Sequence, residues 1–323
     1  MGDAKIIACR ARVLDCNMFP QIIDTIIEYA SNASLQAMRV NKGFRAFIDS
    51  HLAYHLVVSK LRREDGGPLN RYEVSSSRGV VGQITFTAET ATVLAASYFR
   101  SARVLDISIA AKWPSMMPAL VRACPDAAFR FKLHTDLRHL NFSNATVVLL
   151  GEDKPVSVAG YLAYGIDEVR GVDTLVVHIR APGRRDDMFD LNVKHLVLVL
   201  HPWPSVGIER HFHIVEAVIR DQLGVFWDLL WAGFVNRIPV TVISVESEPH
   251  PRIAEYKEFD LGVSIREVLT LRRSNLGLPE SSPLPRFFSL DEYKHEVGNE
   301  TYQIHINSGF IDRPHNTLVK FRE

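Results

Sequence analysis

A series of short, almost continuously apolar runs recurs along most of the chain, and it limits the possible folds more than any other feature. The runs are rich in Val, Leu and Ile and occupy residues 80–86, 103–109, 145–150, 172–179, 193–200 and 238–245. Such runs are typical of strands that are buried on both faces of a parallel sheet. Each run is therefore predicted to be a strand.

Helix-like segments lie between several of these runs, at residues 90–99, 115–123 and 208–234. In the last segment, apolar residues recur at helical spacing. They are Val215, Val218, Ile219, Leu223, Phe226, Leu229, Leu230 and Phe234. Trp227 and Trp231 share this spacing, so we interpret them as core residues. The alternation of strands and helices predicts an α/β fold made of right-handed crossover units.

Two architectures fit this alternation: an open doubly wound sheet and an irregular leucine-rich-repeat-like solenoid. Residues 137–142 and 193–198 carry the apolar, x, x, apolar, x, apolar rhythm of a repeat strand. The intervals between runs vary from about twenty to more than forty residues, so spacing alone gives no strict period. We predict an open, curved, mostly parallel sheet with helices on its other side.

Residues 19–52 form a second distinctive pattern, near the N-terminus. Pro20 follows the apolar Phe19 and suits the first position of a helix, where its missing N–H costs no hydrogen bond. A broad apolar stripe along that helix is predicted from the spacing of Ile22, Ile23, Ile26 and Ile27. A segment of about 35 residues is too small to form a self-sufficient core, so we expect it to bury this stripe against a partner.

Two further short helices are predicted in the same stretch. Ser34 is the predicted N-cap of a helix that carries Leu35 and Val40. Gly43 permits a turn into a third helix, which contains Ile48. The stretch is therefore expected to hold three helices in succession.

The order of an apolar residue, a proline, an apolar stripe and the residues 41–45 resembles an F-box. This resemblance implies a three-helix segment that docks on the Skp adaptor of a cullin-RING ubiquitin ligase. The residues that it assigns to adaptor binding are Phe19, Pro20, Ile22, Ile23, Ile26, Leu35, Val40 and Phe44. The alternative is an ordinary helical hairpin whose apolar residues pack on the rest of the protein.

Residues 287–300 resemble the tail of a set of divergent basidiomycete F-box-like proteins. Ser289 is predicted to cap a short helix with Asp291 and Glu292 in its first turn, and Gly298 to end it. Residues 301–306 alternate in polarity and are predicted to form a terminal strand. The proline-containing residues 276–285 are expected to be a stiff connector before this tail.

These patterns divide the chain into four parts. Residues 17–60 are the F-box-like helical segment, 61–78 a linker, 79–275 the α/β leucine-rich-repeat-like domain, and 276–323 the connector and tail. The linker is predicted from the charged cluster at residues 62–65, which is followed by Gly66, Gly67 and Pro68. At 323 residues with 47% apolar content, most of the chain can form a sizeable core.

Charge and cysteine content narrow the possible partners and compartments. Lys plus Arg and Asp plus Glu are equal at 37 each, so no global field attracts nucleic acid or an anionic membrane. Cys9, Cys16 and Cys124 form no CxxC pair, which indicates thiols in a reducing compartment rather than disulfides or a zinc site. The N-terminus has no secretory signal pattern, so we expect a cytoplasmic or nuclear protein.

Motifs for catalysis or cofactor binding are absent from the sequence. There is no GxSxG elbow, Walker loop, HExxH motif or dinucleotide-binding glycine fingerprint. His211 and His213 lie near His201, but no third ligand has motif spacing, so no metal site is predicted. We expect no cofactor, and we interpret the acidic residues 186–190 as a solvated loop.

Trp203 is the most distinctive aromatic residue outside the predicted core. It lies between Pro202 and Pro204 directly after a predicted strand, on a stiff loop at a sheet edge where binding residues often occur. The preceding strand is followed by basic residues at the same edge, namely Arg180, Arg184 and Arg185. These two loops are the predicted target-binding site.

Together these features predict a non-catalytic F-box-type substrate receptor. It would link a protein target to a Skp-cullin-RING ubiquitin ligase and act by raising effective concentration. One alternative is a hydrolase-like α/β enzyme with its site at the carboxyl ends of the strands. Another is an F-box-like scaffold that recruits no ligase.

Overall fold

The apolar runs form strands of one sheet, which is the centre of the fold. The computed structural model describes residues 25–26, 29–30, 34, 37–38, 48, 53–62, 68–76, 79–85, 97–108, 117–132, 141–150, 170–179, 191–201, 224–244, 261–275, 277–279 and 282–307. The chain divides into two compact units, Met1–Leu52 and Ala53–Glu323. The sheet lies in the second unit.

The sheet contains ten strands in the described ranges. They are β1 His55–Arg62, β2 Pro68–Ser76, β3 Gly79–Thr85, β4 Val104–Ser108, β5 Ala128–Lys132, β6 Asn141–Leu150, β7 Arg170–Ile179, β8 Val193–Leu200, β9 Val240–Ser244 and β10 Arg286–Ser289. Their order is β10-β9-β8-β7-β6-β5-β4-β1-β2-β3. From β5 to β10, each strand lies beside the one before it in sequence, whereas β4 lies beside β1 and not beside β3.

Strand directions divide the sheet into a large parallel part and a small antiparallel edge. β1 and β4 to β10 are parallel to their neighbours in this series. β2 pairs antiparallel with both β1 and β3. The predicted α/β fold with a mostly parallel sheet is therefore confirmed.

Helices connect or follow the strands. They are α1 Ser97–Arg100, α2 Met117–Ala123, α3 Gly224–Val235, α4 Leu261–Asn275, α5 Leu290–Val297 and α6 Asn299–Ile306. In α3, Trp227, Leu230 and Phe234 are buried, as their helical spacing predicts. Residues 208–223 of the longer predicted helix lie outside the described residues.

The alternation of side chains along each strand gives the sheet two different faces. The helix face carries strand residues such as Leu105, Phe129 and Leu175, and shares one large core with apolar residues of α1 to α4. The tail face carries the opposite positions, which form a smaller cluster. Its buried members are Val148, Leu150, Val176, Val197, Val199 and Ile243 of the sheet together with Tyr293 of α5.

The C-terminal tail packs on the tail face. Ser289 caps α5, its hydroxyl oxygen accepting a hydrogen bond from the Glu292 N–H, while Glu292 accepts one from the Ser289 N–H. Gly298 ends the helix with a φ of 81°. Both predicted ends of this helix are therefore confirmed.

The predicted terminal strand at residues 301–306 is wrong, because these residues belong to α6. The Tyr302 N–H donates to the Gly298 carbonyl oxygen at 3.0 Å, and the Asn307 N–H donates to Gln303 at 3.1 Å. Tyr302 and Ile306 are four residues apart and both pack on the tail-face cluster. Over six residues, a helical face and an alternating pattern are easily confused.

Residues 61–78 are not the predicted linker, because most of them belong to β1 and β2. The glycines and proline at positions 66–68 mark the connection of an antiparallel pair, in which Arg62 lies opposite Pro68. β2 contains few apolar residues, and this composition hid the strand from a search for apolar runs. The predicted helical segment 17–60 also extends too far, because β1 begins at His55.

The predicted connector at residues 276–285 contains no helix or strand in its described positions 277–279 and 282–285. It is attached to the protein rather than free. Arg273 donates a hydrogen bond to the Ser282 carbonyl oxygen at 3.0 Å, and Leu278 and Leu284 pack against the main core. The connector thereby leads the chain from α4 on the helix face to β10 at the sheet edge.

Candidate functional site

The polar residues of the tail face form the candidate site. In β7, Leu175 and Val177 belong to the core of the helix face, so the alternate residues Val176 and His178 point to the tail face. His178 is fully buried, although it is polar. A buried polar side chain on an apolar face requires hydrogen-bond partners, and these partners define the site.

Three hydrogen bonds join β7, the end of β8 and the C-terminal tail. His178 Nε2 lies 2.7 Å from the backbone carbonyl oxygen of His305, and His178 Nδ1 lies 2.7 Å from His201 Nε2. The Tyr293 hydroxyl lies 2.6 Å from His305 Nδ1. The rings of Tyr293 and His305 are stacked with centroids 6.0 Å apart, as are those of His178 and His201 at 5.0 Å.

The donors and acceptors in the two hydrogen bonds of His178 follow from the His305 carbonyl oxygen, which can only accept. Because the His305 carbonyl has no hydrogen, His178 Nε2 carries the proton and donates it. In a neutral imidazole, Nδ1 of His178 is then an acceptor, and His201 Nε2–H donates to it. Each of the two residues is therefore fixed in one tautomer, with its proton on Nε2.

Two further imidazoles of the face, those of His305 and His195, have lowered pKa values. Burial and, to a smaller extent, the neighbouring His195 lower the pKa of His305 to about 4. The pKa of His195 is lowered by burial and then by the charge of Arg286. His195 Nε2 lies 2.9 Å from the Thr241 hydroxyl oxygen on the adjacent strand β9.

A second polar group lies on the same sheet face at β1, β4 and β5. Arg130 Nε is 2.8 Å from Asp106 Oδ1, and both side chains are almost fully buried. His55 Nε2 is 2.8 Å from Asp106 Oδ2, and since a carboxylate can only accept, His55 donates. Burial lowers the pKa of Arg130, and Asp106 opposes this effect. The pair is a buried ion pair with one further hydrogen bond.

The tail-face network can recognise polypeptide, because it already does so within this chain. It supplies an imidazole N–H to a backbone carbonyl and an apolar surface to aromatic and aliphatic side chains. Within the described ranges, no three His, Cys, Asp or Glu side chains are grouped so as to hold a metal ion. The single cysteine that the structure describes, Cys124, is buried, and burial raises its pKa to about 12, as expected for an inert thiol.

Most of the predicted site residues lie outside the described residues. Of the predicted adaptor-binding set, the structure describes Ile26, which is helical and 41% exposed. Phe19, Pro20, Ile22, Ile23, Leu35, Val40 and Phe44 lie outside the described residues.

The same holds for the predicted target-binding residues Trp203, Arg180, Arg184 and Arg185. The strands that precede them are described, however, and their ends are neighbours. Ile179 of β7 pairs with Leu200 of β8, and the His201 N–H donates to the Ile179 carbonyl oxygen at 3.0 Å. The strand ends that precede the two predicted segments are therefore neighbours.

The sequence pattern did not identify His178, His305 or the Asp106–Arg130 pair as site residues. A signal was present, since a single polar residue interrupts each of three apolar runs: Asp106 in VLDIS, Arg130 in AFRFK and His178 in LVVHI. A buried polar residue needs a partner, so opposite charges at matching strand positions are informative. Asp106 and Arg130 are in fact register partners.

Comparison with protein-family profiles, with curated proteins and with solved structures finds no match to this chain. In the part of the chain that the structure describes, no helix has both the length and the apolar character needed to cross a lipid bilayer. The doubly wound alternative predicts a crevice where the strand order reverses. Among the described strands, the order reverses once, between the parallel neighbours β1 and β4, because β1 to β3 run to one edge of the sheet and β4 to β10 to the other.

Proposed function

We propose that this chain is an F-box-type substrate receptor, which links a protein target to a Skp-cullin-RING ubiquitin ligase. Residues 19–52 would dock on the Skp adaptor, and the sheet unit would hold the target. The chain would catalyse no reaction itself. Its contribution would be to bring a target lysine close to the transferred ubiquitin.

The observation that carries the proposal is an exposed apolar pair on a helical part of the N-terminal unit. Ile26 and Tyr29 are both helical, with exposed fractions of 41% and 81%. They are three residues apart and therefore lie on the same side of the helix. The Ala30 N–H donates to the Ile26 carbonyl oxygen at 2.9 Å, which closes this helical turn. Exposed apolar side chains in a small unit favour a docking role.

The organisation of the N-terminal unit also supports the proposal. Residues Met1–Leu52 are compact by themselves. Described residues are helical at positions 25, 26 and 29, at 34, 37 and 38, and at 48, which fits three short helices. Ser34, the predicted N-cap of the second helix, is itself helical.

The sheet unit supports a receptor role in a different way. Its parallel strands follow one another in sequence order, and α1 to α4 share a core with a single face. This arrangement is expected of an irregular leucine-rich-repeat-like sheet, because each crossover then adds one strand and one connection on the same side. Such a sheet keeps its other face available for a polypeptide, and the tail face binds one here.

Co-purification of the full chain with a Skp-type adaptor tests the proposal. We expect a stable complex that is lost when Pro20 and Ile23 are replaced by charged residues. The double variant Ile26→Asp/Tyr29→Asp should also lose the adaptor, because a charge would enter an apolar interface. Leu271→Asp is the matched control, since Leu271 is an exposed leucine of α4 with 69% of its surface accessible.

The control should retain the adaptor at the level of the unchanged protein. Circular dichroism of each variant shows whether it is folded. If folded Ile26→Asp/Tyr29→Asp bound the adaptor as well as Leu271→Asp does, the proposal would be wrong. An adaptor that bound no form of the chain would favour the scaffold alternative.

A further inference from the structure

The two C-terminal helices form a layer that is separate from the main core. We call residues Leu290–Ile306, which comprise α5 and α6, the strap. Its apolar residues pack on the small tail-face cluster, whereas α1 to α4 share the large cluster of the helix face. Removal of the strap would therefore leave the main core complete.

Only two strap side chains are buried, and both take part in the hydrogen-bond network. Tyr293 and His305 are 1% and 5% exposed, and they bond to each other. The His305 carbonyl oxygen accepts the hydrogen bond from His178. The other described polar contacts that hold the strap to the sheet unit are exposed, such as Tyr54 to Glu300 at 3.0 Å and Arg286 to Glu296 at 2.8 Å. Exposed contacts of this kind add little stability.

The helices of the strap are too short to persist without the sheet. Each has eight residues, and isolated helices shorter than about 12 to 15 residues are marginal in water. Gly298 joins them with a φ of 81°, and a side chain there would meet nothing within 4 Å. The strap therefore depends on the tail face for its structure, and it resembles a peptide ligand that folds on binding.

We propose that the strap is an internal ligand, and that an apolar helical segment of a protein target displaces it from the tail face. This inference rests on the proposed receptor function, and it names the chemistry of the target. The strap defines what the competing segment must supply. It needs an aromatic side chain in the place of Tyr293, beside Phe288 and above the cluster that contains Ile243.

The competing segment must also supply a hydrogen-bond acceptor for His178. In the closed state the acceptor is the His305 carbonyl oxygen near the end of α6, where the last carbonyls of a helix have no partner within the helix. Apolar side chains four residues apart, like Tyr302 and Ile306, complete the contact. An amphipathic helix that ends over His178 meets all three requirements, which is a known mode of peptide recognition.

The experiment uses the full chain and a fluorescent synthetic peptide with the sequence of residues 286–307 as the probe. In the unchanged protein the attached strap competes with the probe, so binding should be weak. Tyr293→Ala in the protein, but not in the probe, weakens the attached competitor. Because apparent affinity rises with the open fraction, probe affinity should increase by about tenfold or more.

Hydrogen exchange on the same samples reports whether the strap opens as a unit. In Tyr293→Ala, residues 290–306 should lose protection while β8, residues 193–200, keeps it. If β8 lost protection together with the strap, the strap would be part of the core and the inference would be wrong. Equal probe affinity for the unchanged protein and Tyr293→Ala would also overturn it. Tyr293→Phe provides a milder variant, for which we expect a smaller change in the same direction.

A second substitution tests the hydrogen bond from the sheet. Adding His178→Ala to Tyr293→Ala should lower probe affinity again, because the probe carbonyl loses its donor. Adaptor co-purification of Tyr293→Ala separates the two proposals. An adaptor that binds while the probe does not exchange contradicts the internal-ligand inference alone, and probe exchange without adaptor binding contradicts the receptor function alone.

Discussion

The imidazole of His178 donates a hydrogen bond to the backbone carbonyl of His305, 127 residues later in the chain, at 2.7 Å. This contact joins the middle of the parallel sheet to the last described helix. Since a backbone carbonyl is present whatever the side chain, His178 recognises the position of the chain rather than one residue type. The Tyr293 hydroxyl and the His305 ring complete the connection.

Replacement of Tyr293 by phenylalanine is expected to destabilise the protein by about 1–3 kcal/mol. The substitution removes the hydroxyl that lies 2.6 Å from His305 Nδ1 and leaves a buried ring nitrogen without its partner. The ring itself remains, so packing beside Phe288 is kept. Urea denaturation followed by circular dichroism measures the change.

Tyr302→Phe is the control, because it removes the same hydroxyl from a half-buried tyrosine of α6 that packs on the cluster through its ring. We expect its effect to stay within about 0.5 kcal/mol. Equal effects of the two substitutions would show that the Tyr293–His305 hydrogen bond does not stabilise the fold.

Stability should fall as the pH is lowered from about 6.5 towards 4, because His305 resists protonation when folded. Its pKa is about 4 in the protein, against an ordinary value of 6.5. In this interval the unfolded chain takes up the proton and the folded chain does not, so protons favour unfolding. The full contribution is present above 6.5, and the loss reaches about 3 kcal/mol near pH 4.

Other groups facing His305 act in the same window. Burial and then Arg286 lower the pKa of His195, while the Tyr293 hydroxyl, whose pKa burial raises, and the His178 ring are hydrogen-bonded to the residue. His305→Gln removes one titrating group, so its stability should depend less steeply on pH between 6.5 and 4. An unchanged slope in unfolding free energy against pH would contradict the assignment to His305.

The sequence predicts the sheet well where apolar runs are long. The run at residues 193–200 matches β8 residue for residue, because the side chains of residues 196–199 are buried on both faces and are all apolar. β2 could not be found in this way, since PLNRYEVSS has the composition of a loop and acquires its structure through pairing with β1 and β3. Tertiary pairing here overrides local preference.

The candidate site was less predictable, because its members are distant in sequence. The Ser289 cap and the Gly298 end of α5 are local signals and were predicted correctly. α5 and α6 lie on the tail face over His178 because of the path that the chain takes around β10. No local sequence pattern predicts this path. The predicted strand at residues 301–306 failed for the same reason, since its apolar side chains face a surface formed elsewhere in the chain.

Loss of the charge at Asp106 is expected to destabilise the protein by about 3–5 kcal/mol, because it removes the carboxylate that is paired with the buried guanidinium of Arg130. Arg130 Nε lies 2.8 Å from Asp106 Oδ1, and both side chains are inaccessible to water. Asp106→Asn keeps the shape and removes the charge, so denaturation of this variant measures the effect. The double replacement Asp106→Leu/Arg130→Met should cost less than Asp106→Asn, since it buries no charge.

The exposed ion pair between Lys194 and Asp173 is the matched comparison, with 71% and 39% of the two side chains accessible. Lys194→Ala should change the unfolding free energy by about 1 kcal/mol or less. If Asp106→Asn were as mild as Lys194→Ala, the buried pair would have no special role in stability.

Gly171→Ala is expected to destabilise the start of β7 by more than Gly277→Ala destabilises the turn after α4. Both glycines have positive φ, 69° and 62°, so each alanine carries a backbone cost of about 1–2 kcal/mol. At Gly171 an added Cβ would also lie 2.7 Å from the Phe142 carbonyl oxygen on β6, whereas at Gly277 it would meet nothing within 4 Å. The backbone of β6 must therefore move to accept Gly171→Ala, at a point where the register of β6 and β7 already shifts.

The difference between the unfolding free energies of Gly171→Ala and Gly277→Ala isolates the contact with β6. Equal values would show that β6 and β7 separate at this end without cost.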